Sequence, residues 1–125
     1  MELKVLHTEK APAAVGPYSQ AIAVGDLIFT SGQLPADPAT GELKTEIKEA
    51  TKQSLENVKA ILENAGSSLD KVVKCMIFVD NMDDFAAVNE VYGSYFADHK
   101  PARSCVEVAA LPKGALVEIE AIALK

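Results

Sequence analysis

Two stretches of the chain repeat apolar residues at the spacing of an amphipathic α-helix. The first runs from Glu46 to Ala65, with Thr45 as a candidate N-cap and Gly66 as the left-handed residue that ends it. The second runs from Met82 to Asp98, with Asn81 as its candidate cap. The apolar stripes are Ile47, Ala50, Leu55, Val58, Ile61, Leu62 and Ala65 in the first helix, and Phe85, Val88, Tyr92, Tyr95 and Phe96 in the second.

Shorter apolar segments between these helices and towards both ends of the chain predict strands. In chain order they are KVLH, SQAIAVG, LIFTSG, KVVKCMIFV, SCVEVAAL and VEIEAIAL. The dipeptide Gly25-Asp26 joins the second to the third as a tight hairpin, and a Pro-Lys-Gly turn joins the last two, which would let them pair as another hairpin. The order predicts one α+β domain over residues 1–125, a two-layer mixed sheet of about six strands with two helices packed on one face.

One of these strands has an apolar pattern that two helices cannot satisfy. In VVKCMIFV, residues 72–79, seven of eight residues are apolar, so both faces of the strand favour burial. The helices cover one face of the sheet, and a loop folded over the other face has few residues available. A second copy of the same chain is the commonest cover for such a face, so we expect a homo-oligomer.

The composition is that of a globular protein with an acidic balance. Eighteen Asp and Glu outweigh twelve scattered Lys and Arg, and the net charge of −6 argues against nucleic acid as a partner. No apolar run approaches the ~20 residues of a membrane span, and the N-terminus lacks an apolar signal core. We therefore expect a cytoplasmic protein with no membrane partner. Cys75 and Cys105 fit a reduced state better than a disulfide, and two isolated histidines give little support for a metal site.

Two charged residues interrupt the apolar strands near the C-terminus. Arg103 follows Pro101 at the head of a strand, where a guanidinium could bind a carboxylate through two parallel hydrogen bonds or simply pair with a surface Asp or Glu. Glu118 is either a half-exposed strand residue or a proton carrier whose pKa a partly desolvated pocket raises towards neutrality. Hairpin pairing of the two strands would separate Arg103 from Glu118 and place Glu107 near Glu118 or Glu120.

The other candidates carry less information by themselves. Tyr18 has the pattern of a core residue, and Gly32 could serve a close approach of the backbone. Ser31 lacks the His and Asp partners of a catalytic triad in any known order. Cys105 has the setting of a buried strand residue, and no neighbouring base is evident that would activate its thiol.

Five segments of the chain form a recognisable set: GPYSQAI, TSGQLP, the Asn89–Tyr92 stretch NEVY, PARSCVEVAALP and VEIEAIA. In their order and spacing they resemble the RidA/YjgF family of reactive-intermediate deaminases. The resemblance spans the chain from about Thr8 to Leu124. It implies a chorismate-mutase-like α+β fold that assembles as a trimer, with active sites in clefts between subunits.

The resemblance also implies an activity. Similar proteins hydrolyse 2-imino acids and their enamine tautomers, such as 2-iminobutanoate and 2-iminopropanoate/2-aminoacrylate, to 2-keto acids and ammonia, with no metal and no organic cofactor. The position of Arg103 is thought to bind the substrate carboxylate, and that of Glu118 to orient water and handle protons. The remaining cleft positions implied are Tyr18, Ser31, Gly32, Asn89 and the main chain around Cys105.

This chemistry agrees with the residues themselves. An imine already hydrolyses in water, so an oriented carboxylate and one proton carrier suffice and no covalent nucleophile is needed. A site between subunits would let Arg103 and Glu118 belong to one cleft while Tyr18 or Asn89 arrives from a neighbour. Three other functions stay open on sequence alone: a non-catalytic binder of small carboxylic acids, an RNA-cleaving translation inhibitor and a chaperone-like surface protein.

Overall fold

A six-stranded mixed sheet forms one layer of the computed structural model, which describes residues 1–125. The strands are β1 (Leu3–Leu6), β2 (Ala21–Val24), β3 (Leu27–Thr30), β4 (Val72–Val79), β5 (Ala102–Glu107) and β6 (Val117–Leu124). They lie in the order β1-β2-β3-β6-β4-β5, and every neighbouring pair is antiparallel except β4 and β5, which run parallel. The α+β class predicted from the sequence is confirmed.

Helix α1 (Ile47–Asn64) packs its apolar stripe on one face of this sheet. Its N-cap is Glu46 rather than the predicted Thr45, because the Glu46 carboxylate accepts a hydrogen bond from the backbone N–H of Glu49 at 2.9 Å. Gly66 follows the helix with φ +85°, so the predicted left-handed stop is confirmed. The helices of the chain lack the length and apolar character that a membrane-spanning helix requires.

Helix α2 (Phe85–Tyr95) is shorter than the pattern predicted. Residues 82–84 form a 3₁₀ turn, which Asn81 caps by accepting from the N–H of Asp83 at 2.9 Å. At the other end Phe96 leaves the helical region of φ and ψ but stays buried. The apolar pattern predicted a helix that was too long because apolar residues indicate burial, and Phe96 is buried although it lies outside the helix.

The expected hairpin between β5 and β6 is wrong. Strand β4 lies between them, since the chain crosses from β4 through α2 to β5 and so delivers β5 parallel to β4. The turn before β6 contains Lys113 and Gly114, both with positive φ, and leads into β6 without pairing it to β5. Glu107 therefore does not face Glu118 or Glu120. Its carboxylate accepts instead from the N–H of Met82 at 2.8 Å.

The two faces of the sheet have different surroundings. The core lies between the sheet and the helices and includes Ile77, Val117 and Ile119, none of which has any exposed surface. The opposite face, which we call the open face, has no second layer. Strand pairing aligns apolar side chains across it, including Leu3, Val5, Phe29 and Leu124, whose exposed fractions run from 38% to 71%. An apolar surface of this kind is typical of a face that another chain covers.

Candidate active site

Arg103 and Glu118 lie on opposite faces of the sheet. Arg103 pairs with Cys75 across β5 and β4, and Glu118 pairs with Phe78 across β6 and β4. Paired side chains share a face, and side chains alternate along a strand, so Cys75 and Phe78 point in opposite directions. Arg103 therefore lies on the helix-covered face and Glu118 on the open face. An arrangement in which one chain supplies both residues to the same cleft is wrong.

A cleft of about 500 Å³ surrounds the Glu118 side chain. Glu118 projects from β6, while Ser31 and Gly32 come from the segment after β3 and Tyr18 from the loop before β2. Tyr18 is 51% exposed, so the interpretation of it as a core residue is wrong. Four of the predicted site residues are thus brought together. Lys113 also lines this cleft, from the turn before β6.

The Glu118 carboxyl group has the environment of a proton carrier. It is half-buried, and burial raises its pKa above the ordinary 4.5, with a smaller contribution in the same direction from the nearby charge of Glu120. Both effects disfavour the carboxylate form, because the charge loses solvent and meets a second negative group. A raised pKa moves the group closer to the pH at which it can both accept and release a proton.

The remaining predicted residues form a second group around Arg103. Its Nη1 donates to Oδ1 of Asn89 at 2.6 Å, and Cys105 lies two residues along β5 on the same face. The only ion pair in the chain is between Lys48 and Glu90, so Arg103 has no carboxylate partner. The reading of Arg103 as half of a surface ion pair is therefore wrong, and most of its N–H donors are free for an external anion.

The two cysteines are free thiols on adjacent strands. Burial raises the pKa of both the Cys75 and the Cys105 thiol, and this outweighs the opposing effect of the Arg103 charge. A thiol in this state is a poor nucleophile at neutral pH. The side chain of Cys105 thus matches the ordinary strand residue that the sequence indicated.

A model of the endoribonuclease L-PSP family matches residues 8–125 of the chain. The chain belongs to this family. Among curated relatives, a RutC family protein of Pyrococcus abyssi is 57% identical over 100% of this chain and 99% of its own length. The 2-iminobutanoate/2-iminopropanoate deaminase of Escherichia coli K12 is 50% identical over 98% of each chain.

Two solved structures have the same fold as this chain. The YjgF gene product of E. coli has a TM-score of 0.94 at 50% identity, with 98% of each chain covered. E. coli TdcF with bound serine also has a TM-score of 0.94, at 46% identity and 98% coverage of each chain. The resemblance to the RidA/YjgF family that the sequence motifs indicated is confirmed.

Two buried amides fix the walls of the Glu118 cleft in this L-PSP-family chain. The Gln20 side chain accepts from the N–H of Thr8 at 2.7 Å and donates to the carbonyls of Thr8 and Pro12, at 3.0 and 2.8 Å. The Asn57 side chain, in the middle of α1, donates to the carbonyls of Leu34 and Ala36 at 3.1 and 2.9 Å. Because buried amides are costly unless bonded, these contacts hold both loops in one position.

Gly32 provides space for the Glu118 side chain. A Cβ built on Gly32 would overlap the Glu118 carboxylate and would come within 2.9 Å of its Cγ. The φ of Gly32 is not in the left-handed region, so the glycine serves the close approach and no unusual backbone conformation. The approach is made by the Glu118 side chain, whereas the sequence suggested one by the backbone.

Replacing Gly32 with alanine should therefore damage the site more than the fold. The added methyl group forces the flexible end of Glu118 out of place, and a displacement of about 1 Å can cost roughly 100-fold in rate. We expect Gly32→Ala to unfold near the wild-type temperature and to lose activity by about that factor. Thermal unfolding and a deaminase assay measure the two effects.

Gly93→Ala is the matched control for this substitution. Gly93 lies in α2, and a Cβ there would meet no atom within 4 Å. Alanine should stabilise the helix by up to about 1 kcal/mol and leave activity unchanged. A Gly32→Ala protein with wild-type activity would contradict the close contact between Gly32 and Glu118.

Sequence reasoning missed several residues that shape the two groups. Gln20 lies inside the segment GPYSQAI, but glutamine is not a residue type that indicates burial. Lys113 lies in a predicted turn, and nothing in the turn pattern indicates that it lines a cleft. The apolar stripe places Phe85 on the buried face of its helix but does not by itself show that the Phe85 ring lies 5.5 Å from the Arg103 guanidinium carbon. A helical stripe does predict that Phe85, Asn89 and Tyr92 share one side of α2, and that signal could have found the contact.

Proposed function

We propose that the protein hydrolyses 2-imino acids, such as 2-iminobutanoate and 2-iminopropanoate with its 2-aminoacrylate tautomer, to 2-keto acids and ammonia. The main support for this proposal is that Arg103 is half-buried and has no carboxylate partner. A guanidinium that is partly removed from water is costly unless an anion pairs with it, and a small carboxylate fits its planar donors. The E. coli relative named for this deaminase activity is 50% identical over nearly its whole length, which supports the same substrate class.

The complete site, in this proposal, forms between two copies of the chain in a homotrimer. One copy supplies Glu118 with Tyr18, Ser31 and Gly32, and its neighbour supplies Arg103, Asn89 and the main chain at Cys105. Two observations support such an assembly. The open face beside Glu118 is apolar and uncovered, and β5 lies at the edge of the sheet, where its outer backbone groups have no strand partner.

Binding fixes the substrate at its carboxylate. Two guanidinium N–H groups of Arg103 donate to the two carboxylate oxygens, which sets the position of the adjacent C2 atom. Glu118 accepts a proton from a water molecule as the water oxygen attacks C2. The electron pair of the C=N bond moves to the imine nitrogen, which takes up a proton from bulk water. The product of this step is a tetrahedral carbinolamine.

In the breakdown of the carbinolamine, Glu118 acts as a general acid, whereas in the attack step it acts as a general base. The protonated Glu118 donates its proton to the amino group, the C–N bond breaks and ammonia leaves. The hydroxyl oxygen forms the keto group and releases its proton to bulk water, which balances the proton taken up by the nitrogen in the first step. Imine and water thus become keto acid and ammonia, and Glu118 is ionised again. One carboxyl group with a raised pKa serves both transfers, and the step needs no redox change.

An oxidase-coupled assay tests the proposal. An amino-acid oxidase generates 2-iminobutanoate from 2-aminobutanoate, and semicarbazide competes with the protein for the imine. Added protein should accelerate formation of 2-oxobutanoate above the uncatalysed rate and lower the yield of the semicarbazide adduct. No change in either quantity at equimolar protein would contradict the proposed activity.

RNA cleavage, which the family description names, has less support in this chain. The net charge is −6, and Lys113 is the only basic residue of the Glu118 cleft. Phosphate backbones bind to clustered Lys and Arg, which this cleft does not offer. A non-catalytic binder of small carboxylic acids would use Arg103 in the same way, but it would have no use for Glu118.

The pH dependence of hydrolysis should report the titration of Glu118. Attack requires the ionised form, so kcat/KM should fall on the acid side with a midpoint above the ordinary glutamate pKa of 4.5. The Glu120→Gln variant removes one cause of the raised pKa, so its midpoint should lie lower. Titration of the substrate affects the kcat/KM profiles of the wild type and of Glu120→Gln equally, so it cancels in their ratio. A ratio that does not change between pH 4 and 8 would contradict this role for Glu118.

A further inference from the structure

Arg103 lies against a stripe of α2 that presents two aromatic rings and one amide. Its guanidinium carbon is 5.5 Å from the centroid of the Phe85 ring and 5.0 Å from that of Tyr92. Asn89, which accepts from Nη1, is four residues after Phe85 and three before Tyr92. Positions at this spacing lie on one side of a helix, so a single stripe of α2 holds the whole guanidinium. We call these three residues the cradle.

We propose that the cradle positions Arg103 for a carboxylate ligand, and that Phe85 is therefore a positioning residue of the site. The identity of the ligand as a 2-imino acid rests on the proposed function, whereas the positioning itself does not.

The chemistry of the cradle suits a residue that must receive an anion. Aromatic faces attract a cation through their quadrupole, and the Asn89 oxygen is uncharged, so neither neutralises the guanidinium. A carboxylate in the same place would hold Arg103 equally well but would compete with the ligand. The cradle also uses one of five N–H donors, which leaves enough for two parallel hydrogen bonds to a carboxylate.

The rings are themselves held in place. Tyr92 is buried, and its ring packs on that of Phe96 with centroids 4.7 Å apart. Phe85 is half-buried at the start of α2. A side chain fixed before binding loses less conformational entropy when the ligand arrives, so the cradle should act on affinity through preorganisation.

Nuclear magnetic resonance can observe this arrangement directly, because Arg103 is the only arginine in the chain. Its Nε–H group gives one cross-peak that needs no further assignment. The two ring faces should shift this proton upfield from the position of a free arginine, and Phe85→Leu should move it back towards that position. Titration of the same samples with 2-oxobutanoate, the stable keto analogue, measures affinity; Phe85→Leu should weaken it by about 2- to 10-fold.

Tyr95→Leu is the control for loss of an aromatic ring from the same helix. Tyr95 is partly buried on α2, but its hydroxyl donates to Glu56 and its ring does not contact Arg103. This variant should leave both the cross-peak and the affinity for 2-oxobutanoate as in the wild type. Equal effects of Phe85→Leu and Tyr95→Leu would show a general effect on α2 and would overturn the inference.

Other outcomes separate the inference from the proposed function. A cross-peak of the wild-type protein at the position of free arginine would overturn the cradle. This test uses the wild-type protein alone, so it remains valid even if Phe85→Leu does not fold. Unchanged affinity in a folded Phe85→Leu protein would also overturn it. Failure of the oxidase-coupled assay alone would overturn the deaminase proposal and leave the cradle intact, because neither the cross-peak nor the titration depends on turnover.

Discussion

Replacing Glu118 with glutamine should abolish most of the hydrolysis while leaving substrate binding largely intact. Glutamine keeps the shape of the side chain but cannot accept the proton of the attacking water, and loss of a general base typically costs about 10²- to 10⁴-fold. The loss should appear in kcat, with KM little changed, because the carboxylate of the substrate is held elsewhere. Steady-state kinetics in the oxidase-coupled assay measure both constants.

The same variant should be slightly more stable than the wild type near neutral pH. Folding raises the pKa of Glu118, so its contribution to stability is greatest below the pKa of the unfolded chain. That contribution is lost as the pH rises through the higher pKa that Glu118 has in the folded chain. Glutamine does not ionise, so the variant does not lose stability in this pH range. Loss of activity together with a lowered unfolding temperature would instead indicate damage to the fold. A Glu118→Gln protein with wild-type kcat would contradict the catalytic role.

Replacing Arg103 with alanine should abolish binding of the substrate carboxylate. Hydrogen bonds to charged groups contribute about 1.5–3 kcal/mol each, so loss of two of them lowers kcat/KM by roughly 10²- to 10⁴-fold. Most of the effect should appear as a higher KM for 2-iminobutanoate. Isothermal titration with 2-oxobutanoate should show the matching loss of affinity without any turnover.

Arg103→Lys provides the control for charge. Lysine keeps the positive charge but has no planar fork and cannot make two parallel bonds to one carboxylate. It should therefore recover only part of the lost affinity. If Arg103→Ala binds 2-oxobutanoate with wild-type affinity, Arg103 does not bind the carboxylate of the ligand. That result would remove the main support for the proposed function.

The sequence predicted local structure well where one segment determines its own conformation. The alternation in VEIEAIAL matches β6 at both ends, and the Gly25-Asp26 turn leaves Val24 opposite Leu27 as a two-residue hairpin requires. The apolar stripe of α1 faces the core as predicted. In each case the signal lies within a few residues and depends on side-chain periodicity.

The relation between Arg103 and Glu118 could not be predicted in this way. Alternation shows which residues of one strand share a face, but the relative orientation of two strands depends on how they pair. The insertion of β4 between β5 and β6 is decided by the crossover through α2, which involves segments about thirty residues apart. The motifs therefore identified the family and its residues, whereas the division of those residues between two faces required the structure.

That division supports the proposal that each active site takes Arg103 from one chain and Glu118 from another. Arg103→Ala and Glu118→Gln chains should each be nearly inactive alone. Co-expressed in equal amounts, they should assemble at random and restore activity at about a quarter of the sites, where an intact Arg103 meets an intact Glu118. Recovery to about that level in purified mixed oligomers is the predicted result, and mixed oligomers as inactive as either parent would contradict the claim.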